Sequence, residues 1–178
     1  MNTAFPFVPA TPESQGLSSR SILRFFDKIE ELRIGLESVI LLRHGQLLAE
    51  GYYAPFAQDR PHRLFSAGKA VCMFAILFLL QEGKIETTTL MRDVFPDKMP
   101  EPMDDKLSRL NLGHLLSMTT GHDADTFAPM LEPGADREAA FFAQRLTPEP
   151  GIHFLYNNGV PDMLQFILYR LTGEDLFD

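Results

Sequence analysis

Between Ser18 and Leu32 the apolar residues Ile22, Phe25, Phe26, Ile29 and Leu32 recur at three- and four-residue steps, while Asp27, Lys28, Glu30 and Glu31 take the other side. That period predicts an amphipathic helix with Ser18 as its N-cap and Gly35 as its stop. Two β-prone runs follow, residues 38–42 and 46–53, around the tight break His44-Gly45, and predict a hairpin. The first run is apolar throughout, as expected of a strand covered on both faces. From Ser66 to Gln81 the polar side vanishes: residues 71–80 are an unbroken apolar run, which predicts a helix buried in a core and closed by a left-handed Gly83. Farther on, the pattern predicts a proline-rich loop over 90–102 and a short helix over 110–118. A helix over 136–145, with Ala139, Phe141, Phe142 and Leu146 inward, a short extended piece over 152–156 and a last helix over 160–171 ending at Gly173 complete the chain. Residues 1–15, punctuated by Pro6, Pro9 and Pro12, read as an extended arm.

The chain of 178 residues, 45% of them hydrophobic, has the size and the apolar content of one domain with a sizeable core. We divide it into an arm (1–17), a helix with a hairpin (18–64) and a helical region (65–178). Sixteen Lys and Arg stand against 24 Asp and Glu, for a net charge of -8, and no basic run interrupts the balance. Nucleic acid is therefore excluded as a partner, because phosphate neutralisation needs clustered cations. The apolar run 71–80 is too short to span a bilayer, so no membrane partner is expected. The N-terminus has no cationic stretch leading into an apolar one, and the chain reads as cytoplasmic. The single Cys72 lies in the apolar run and reads as a buried small hydrophobe.

Two constellations carry chemistry. Of eight serines only Ser66 has a lysine three residues later, and on a helix positions i and i+3 share a face, so the Lys69 ammonium can reach the Ser66 hydroxyl. Serine is a poor nucleophile at neutral pH, and an adjacent amine with a lowered pKa can activate it. A chain of this length holds roughly one such pair by chance; the position of this one at the head of an apolar helix is what singles it out. An N-cap role for Ser66 and an exposed charge for Lys69 are the plainer reading. Gly68-Lys69 is no phosphate loop, since position 63 is Arg and position 70 is Ala. The second constellation is Tyr156-Asn157-Asn158-Gly159, where a phenol and an amide two residues apart can enter one cleft. The plainer reading there is a wedge and a turn. The five histidines form no metal signature, and turn or capping roles are expected of them. His122-Asp123-Ala124-Asp125 offers ligands without a matching partner motif.

Ser66-x-x-Lys69 followed by Tyr156-x-Asn158 resembles the serine β-lactamase and penicillin-binding-protein superfamily. It is most similar to the class C β-lactamase-like branch, which also holds esterases, D-amino-peptidases and 6-aminohexanoate-dimer hydrolases. His62-Arg63-Leu64-Phe65-Ser66, the stretch Leu115 to His122, and Pro150-Gly151 ahead of Tyr156 look like that branch as well, so the likeness covers nearly the whole chain. It implies a mixed α/β (α+β) fold, with a helical region beside an antiparallel sheet, and a small-molecule ester, amide or lactam substrate. It further implies that Ser66 attacks the carbonyl to give an acyl-enzyme, that Lys69 and Tyr156 share the proton transfers, and that Asn158 orients substrate and lysine. The Ser66 N–H would supply half of the oxyanion hole. No cofactor and no metal are implied.

The chain departs from the family pattern in lacking a Lys-Thr-Gly or His-x-Gly strand after the tyrosine motif; Leu171-Thr172-Gly173 is the nearest string and reads as a helix end. We expect from this an N-terminal half of the fold that lacks the C-terminal sheet strands. A hairpin so bared is expected to pair with a missing segment or with another copy. The alternative to a hydrolase is a non-catalytic or self-associating module of the same fold.

Overall fold

The computed structural model describes residues 7–176. The chain forms two compact units, divided between Arg63 and Leu64.

The first unit carries helix α1 (Ser19–Glu31) and a sheet of β1 (Val8–Pro9), β2 (Ser38–Arg43) and β3 (Gln46–Tyr52), in the order β1-β3-β2. Ser18 caps α1 as expected, its hydroxyl accepting from the Arg20 N–H at 3.2 Å. The helix closes earlier than Gly35: Arg33 takes the left-handed conformation (φ 53°) and the Ile34 N–H returns to the Ile29 carbonyl. Of the predicted inward face only Ile22 and Ile29 are buried, and Phe25 and Leu32 are exposed. The hairpin forms in the predicted place. His44 and Gly45 both have positive φ (51° and 74°), the geometry that matches a two-residue turn to the twist of its strands. A bulge lies where the pairing steps from Leu41↔Ala49 to Leu42↔Leu47. The extended arm joins the sheet as a third strand, Val8–Pro9 pairing in parallel with Gln46 and Leu47. One expectation fails: strand β2 is not covered on both faces, since it is an edge strand, and Ile40 and Leu42 are exposed. Residues 1–6 of the arm lie outside the described residues.

The second unit is helical. It holds α2 (Lys69–Gln81), α3 (Met91–Val94), α4 (Leu112–Leu116), α5 (Phe127–Met130), α6 (Arg137–Phe142) and α7 (Gly159–Thr172), with a 3-10 turn over Phe65–Gly68 leading into α2. Ile76 and Leu79 of α2 meet Val160, Met163, Leu164 and Ile167 of α7, and Met91, Phe95, Leu107, Leu110, Leu112, Leu115, Phe141 and Phe142 enclose them. The rings of Phe95, Phe142 and Phe141 follow one another at centroid separations of 5.3 Å. Gly83 closes α2 with φ 68°, and the Lys84 N–H reaches back to the Leu79 carbonyl. The predicted loop over 90–102 contains the short α3 and a 3-10 turn, and most of the stretch 152–156 has no regular element.

Helix α2 is not the all-round core helix that its composition predicts. Ile76 and Leu79 are its buried residues, Cys72 is only half-buried, and Val71, Phe74, Leu77 and Phe78 are exposed, Phe74 at 61% and Phe78 at 64%. An apolar circumference calls for cover on two sides. Within this unit α7 supplies it on one. Among the described residues no helix is long and apolar enough to cross a membrane.

Candidate active site

All four sequence-predicted site residues fall in the second unit, and the fold gathers them. Ser66 sits in the 3-10 turn ahead of α2 rather than in the helix itself, and Lys69 opens the helix. The Lys69 Nζ lies 3.1 Å from the Ser66 Oγ. Phe65, just before the serine, holds φ 46°, a left-handed conformation that costs a bulky residue about 1–2 kcal/mol. Lys69 Nζ also donates to the Asn158 Oδ1 at 2.9 Å, across 89 positions of sequence, and stands 5.0 Å from the centroid of the Tyr156 ring. Ser66 and Lys69 beside it hold the Tyr156 phenol below its ordinary pKa. The phenol is 45% exposed, so solvent screens much of that effect.

The ordered loop around Tyr156 has a traceable origin. The Gly151 N–H donates to the Thr119 carbonyl at 2.7 Å, the Leu155 N–H to the Met118 carbonyl at 3.0 Å, and the Thr147 N–H to the Gly121 carbonyl at 3.0 Å. Residues 118–121 thus act as a backbone template for the tyrosine segment. Gly121 is required for this approach, because with φ 85° a Cβ there would lie 2.7 Å from the Pro148 carbonyl oxygen.

Sequence reasoning missed three contributors. Asn157, read as part of a turn, is fully buried, and its Oδ1 accepts from the Thr126 N–H (3.2 Å), the Thr126 hydroxyl (2.8 Å) and the Gly159 N–H (3.0 Å). It fastens the start of α7 to the loop before α5 and leaves the Asn158 amide free to face Lys69. Gly159 is pressed against the same loop. Asp125, read only as one of a group of metal-ligand types, accepts the Asn158 amide Nδ2–H (2.5 Å) and the backbone N–H groups of Asn158 (2.8 Å) and Phe127 (3.1 Å). Burial raises the Asp125 pKa, but the hydrogen bonds from the Asn158 side chain and from the Phe127, Asn158 and Gly159 amides outweigh it and hold the carboxyl below its usual range. The doubled asparagine was the available signal, since a turn alone needs only one.

The histidines divide. His114 takes the expected capping role, completing a capping box with Asn111 at the start of α4, and His153 is exposed. His122 contradicts the expectation of a turn or capping role: it is 2% exposed, with its Nδ1 2.8 Å from the Thr120 Oγ, its Nε2 3.2 Å from the Phe141 carbonyl and its ring edge-on to Phe141. The carbonyl can only accept, so the proton belongs on Nε2 and Thr120 donates to Nδ1. Burial pushes its pKa down from 6.5 to about 4. As pH falls through that window the unfolded chain binds a proton that the folded chain refuses. Stability is therefore lost progressively, by about 3 kcal/mol in all, and levels off below the folded value. Urea midpoints measured at pH 7, 5.5 and 4.5 are expected to fall for the native chain and to fall less steeply for His122→Gln.

The chain has the β-lactamase-like fold, as three solved structures show. A Bacillus anthracis protein assigned as a 6-aminohexanoate-dimer hydrolase superposes with a TM-score of 0.61 at 21% identity, over 83% of this chain and 44% of its own. A Bacteroides dorei protein assigned as a β-lactamase gives 0.68 at 15% identity, over 89% and 48%. EstCE1, a hydrolase with promiscuous acyltransferase activity, gives 0.64 at 21% identity, over 88% and 49%. The chain thus spans less than half the length of each. The β-lactamase family model matches residues 28–178. The chain belongs to the β-lactamase family.

Proposed function

We propose that this chain carries the acylation site of a serine hydrolase acting on an ester, amide or lactam carbonyl. The Ser66 Oγ attacks the carbonyl carbon, and its proton passes to the Lys69 amine, with Tyr156 sharing the transfer. The bond to the alcohol, amine or lactam nitrogen breaks as that group takes up the proton, which leaves an ester on Ser66. Asn158 orients the lysine and the substrate, and the Ser66 N–H provides one oxyanion donor. The observation that carries this reading is the double contact of one lysine nitrogen, the Lys69 Nζ, 3.1 Å from the Ser66 Oγ and 2.9 Å from the Asn158 Oδ1. The test is intact mass followed by peptide mapping after exposure to p-nitrophenyl acetate and to a β-lactam. One acyl adduct is expected, on the peptide that carries Ser66. An adduct confined to other residues, or none with either reagent, overturns the reading.

A second reading, a non-catalytic module of the same fold that pairs with itself, draws on the exposed Phe74 and Phe78. Light scattering that gives a dimer mass, together with no Ser66-dependent labelling, would favour it.

A further inference from the structure

We propose that Asp125 is a positioning residue for the reaction at Ser66, acting through Asn158 to fix which end of that amide faces Lys69; the inference rests on the hydrolase reading above. A carboxamide has two ends of nearly equal shape and opposite hydrogen-bonding character, so packing alone does not choose between them. Here a carboxylate chooses. The Asp125 Oδ1 is locked by the N–H groups of Asn158 at 2.8 Å and Phe127 at 3.1 Å, which aims Oδ2 at the Asn158 side chain. An ionised carboxylate only accepts, so it takes the Nδ2 end of the amide, and the Oδ1 end must turn to Lys69, where it lies 2.9 Å from Nζ. Reversed, the amide would set its oxygen against the carboxylate oxygen and leave the Lys69 N–H without its acceptor, losing both contacts. Asn158 precedes α7 with no hydrogen bond from its side chain to the helix, although asparagine is among the best N-caps; its neighbour Asn157 takes the Gly159 N–H instead. The amide of Asn158 is thereby committed to the Asp125–Asn158–Lys69 line. The depressed pKa of Asp125 keeps the carboxylate ionised, and so acceptor-only, at neutral pH.

The experiment measures the single-turnover acylation rate constant at saturating p-nitrophenyl acetate, alongside thermal melting, for the native chain, Asp125→Asn, Asn158→Ala and the double variant. Asp125→Asn keeps an oxygen for the two backbone N–H groups and sets a donor against a donor at Asn158. It is expected to slow acylation about 10- to 100-fold, the range for a lost hydrogen bond to a charged group. In the Asn158→Ala background the same change is expected to add no further loss, which a merely structural role would not reproduce. An Asp125→Asn chain that acylates at the native rate, or a loss that multiplies with that of Asn158→Ala, overturns the inference. Should Asp125→Asn fail to fold, Asp125→Glu keeps an acceptor-only carboxylate: a rate within tenfold of native is expected, and a loss as large as that of Asn158→Ala overturns it. A native chain with no adduct overturns this inference together with the hydrolase reading, whereas a native chain that acylates and is matched by Asp125→Asn removes this inference alone.

Discussion

Ser66→Ala and Lys69→Ala, each made alone, are expected to bring acylation by p-nitrophenyl acetate down to the background of the free reagent, a loss of about 10³-fold or more, and the double variant is expected to be no slower than either. On the proposed reading the two side chains form one reacting unit: the hydroxyl without the amine keeps its proton, and the amine without the hydroxyl has nothing to activate. Their separation of 3.1 Å is already within transfer distance, so little reorganisation precedes the step. Neither change should harm the fold, because Ser66 is exposed and Lys69 only half-buried. Stopped-flow release of p-nitrophenolate gives the rate, and a thermal melt within a few degrees of native separates lost chemistry from lost structure. Labelling of Ser66→Ala at the native rate would place the nucleophile elsewhere. Native-rate labelling of Lys69→Ala would remove the lysine from the proton path.

Gly159→Ala is expected to destabilise the second unit by about 3 kcal/mol, lowering its melting temperature by about 12 °C. A Cβ built on Gly159 would stand 2.1 Å from the Thr126 Oγ1 and 2.6 Å from the Met130 Sδ. The backbone there is not left-handed, so the cost is steric. Relief requires the start of α7 to move away from the loop before α5, which breaks the buried bonds that Asn157 makes to Thr126 and to Gly159. Asn158 moves with the helix start and its contact with Lys69 lengthens, so acylation should slow in the surviving folded fraction as well. Adding Thr126→Ala removes the nearer obstacle at the expense of one hydrogen bond and is expected to restore part of the stability. Differential scanning of the two variants checks this; equal melting points for Gly159→Ala and the native chain would refute it.

The outward apolar face of α2 bears on how the protein behaves in solution. Phe74→Ser and Phe78→Ser remove exposed rings, so they should cost the unit less than the truncation of a buried phenylalanine such as Phe141, which is worth about 3–5 kcal/mol.

Local chemistry was enough to read α1, the hairpin, the stop at Gly83 and the last helix. Each is written in a short-range signal: a 3.6-residue period after a capping serine, two β-prone runs about His44-Gly45, and a glycine where the backbone must turn left-handed. Ser66 with Lys69 was equally readable, because a spacing of three on one helical turn brings two side chains together whatever the rest of the chain does. The contact of Lys69 with Asn158 is of another kind. It joins positions 89 residues apart, and it exists because the apolar faces of α2 and α7 pack at Ile76, Leu79, Val160 and Ile167 and bring the two helix starts side by side. Asp125 was invisible for the same reason, since a carboxylate has meaning only once its partner is known. Burial of Phe141, Phe142 and Leu146 was readable from their period, but on α2 it belonged to the tertiary structure. The composition of α2 says that it avoids water, but only the packed unit decides that Ile76 is covered and Phe78 is not, because cover comes from neighbouring elements and not from the helix's own residues.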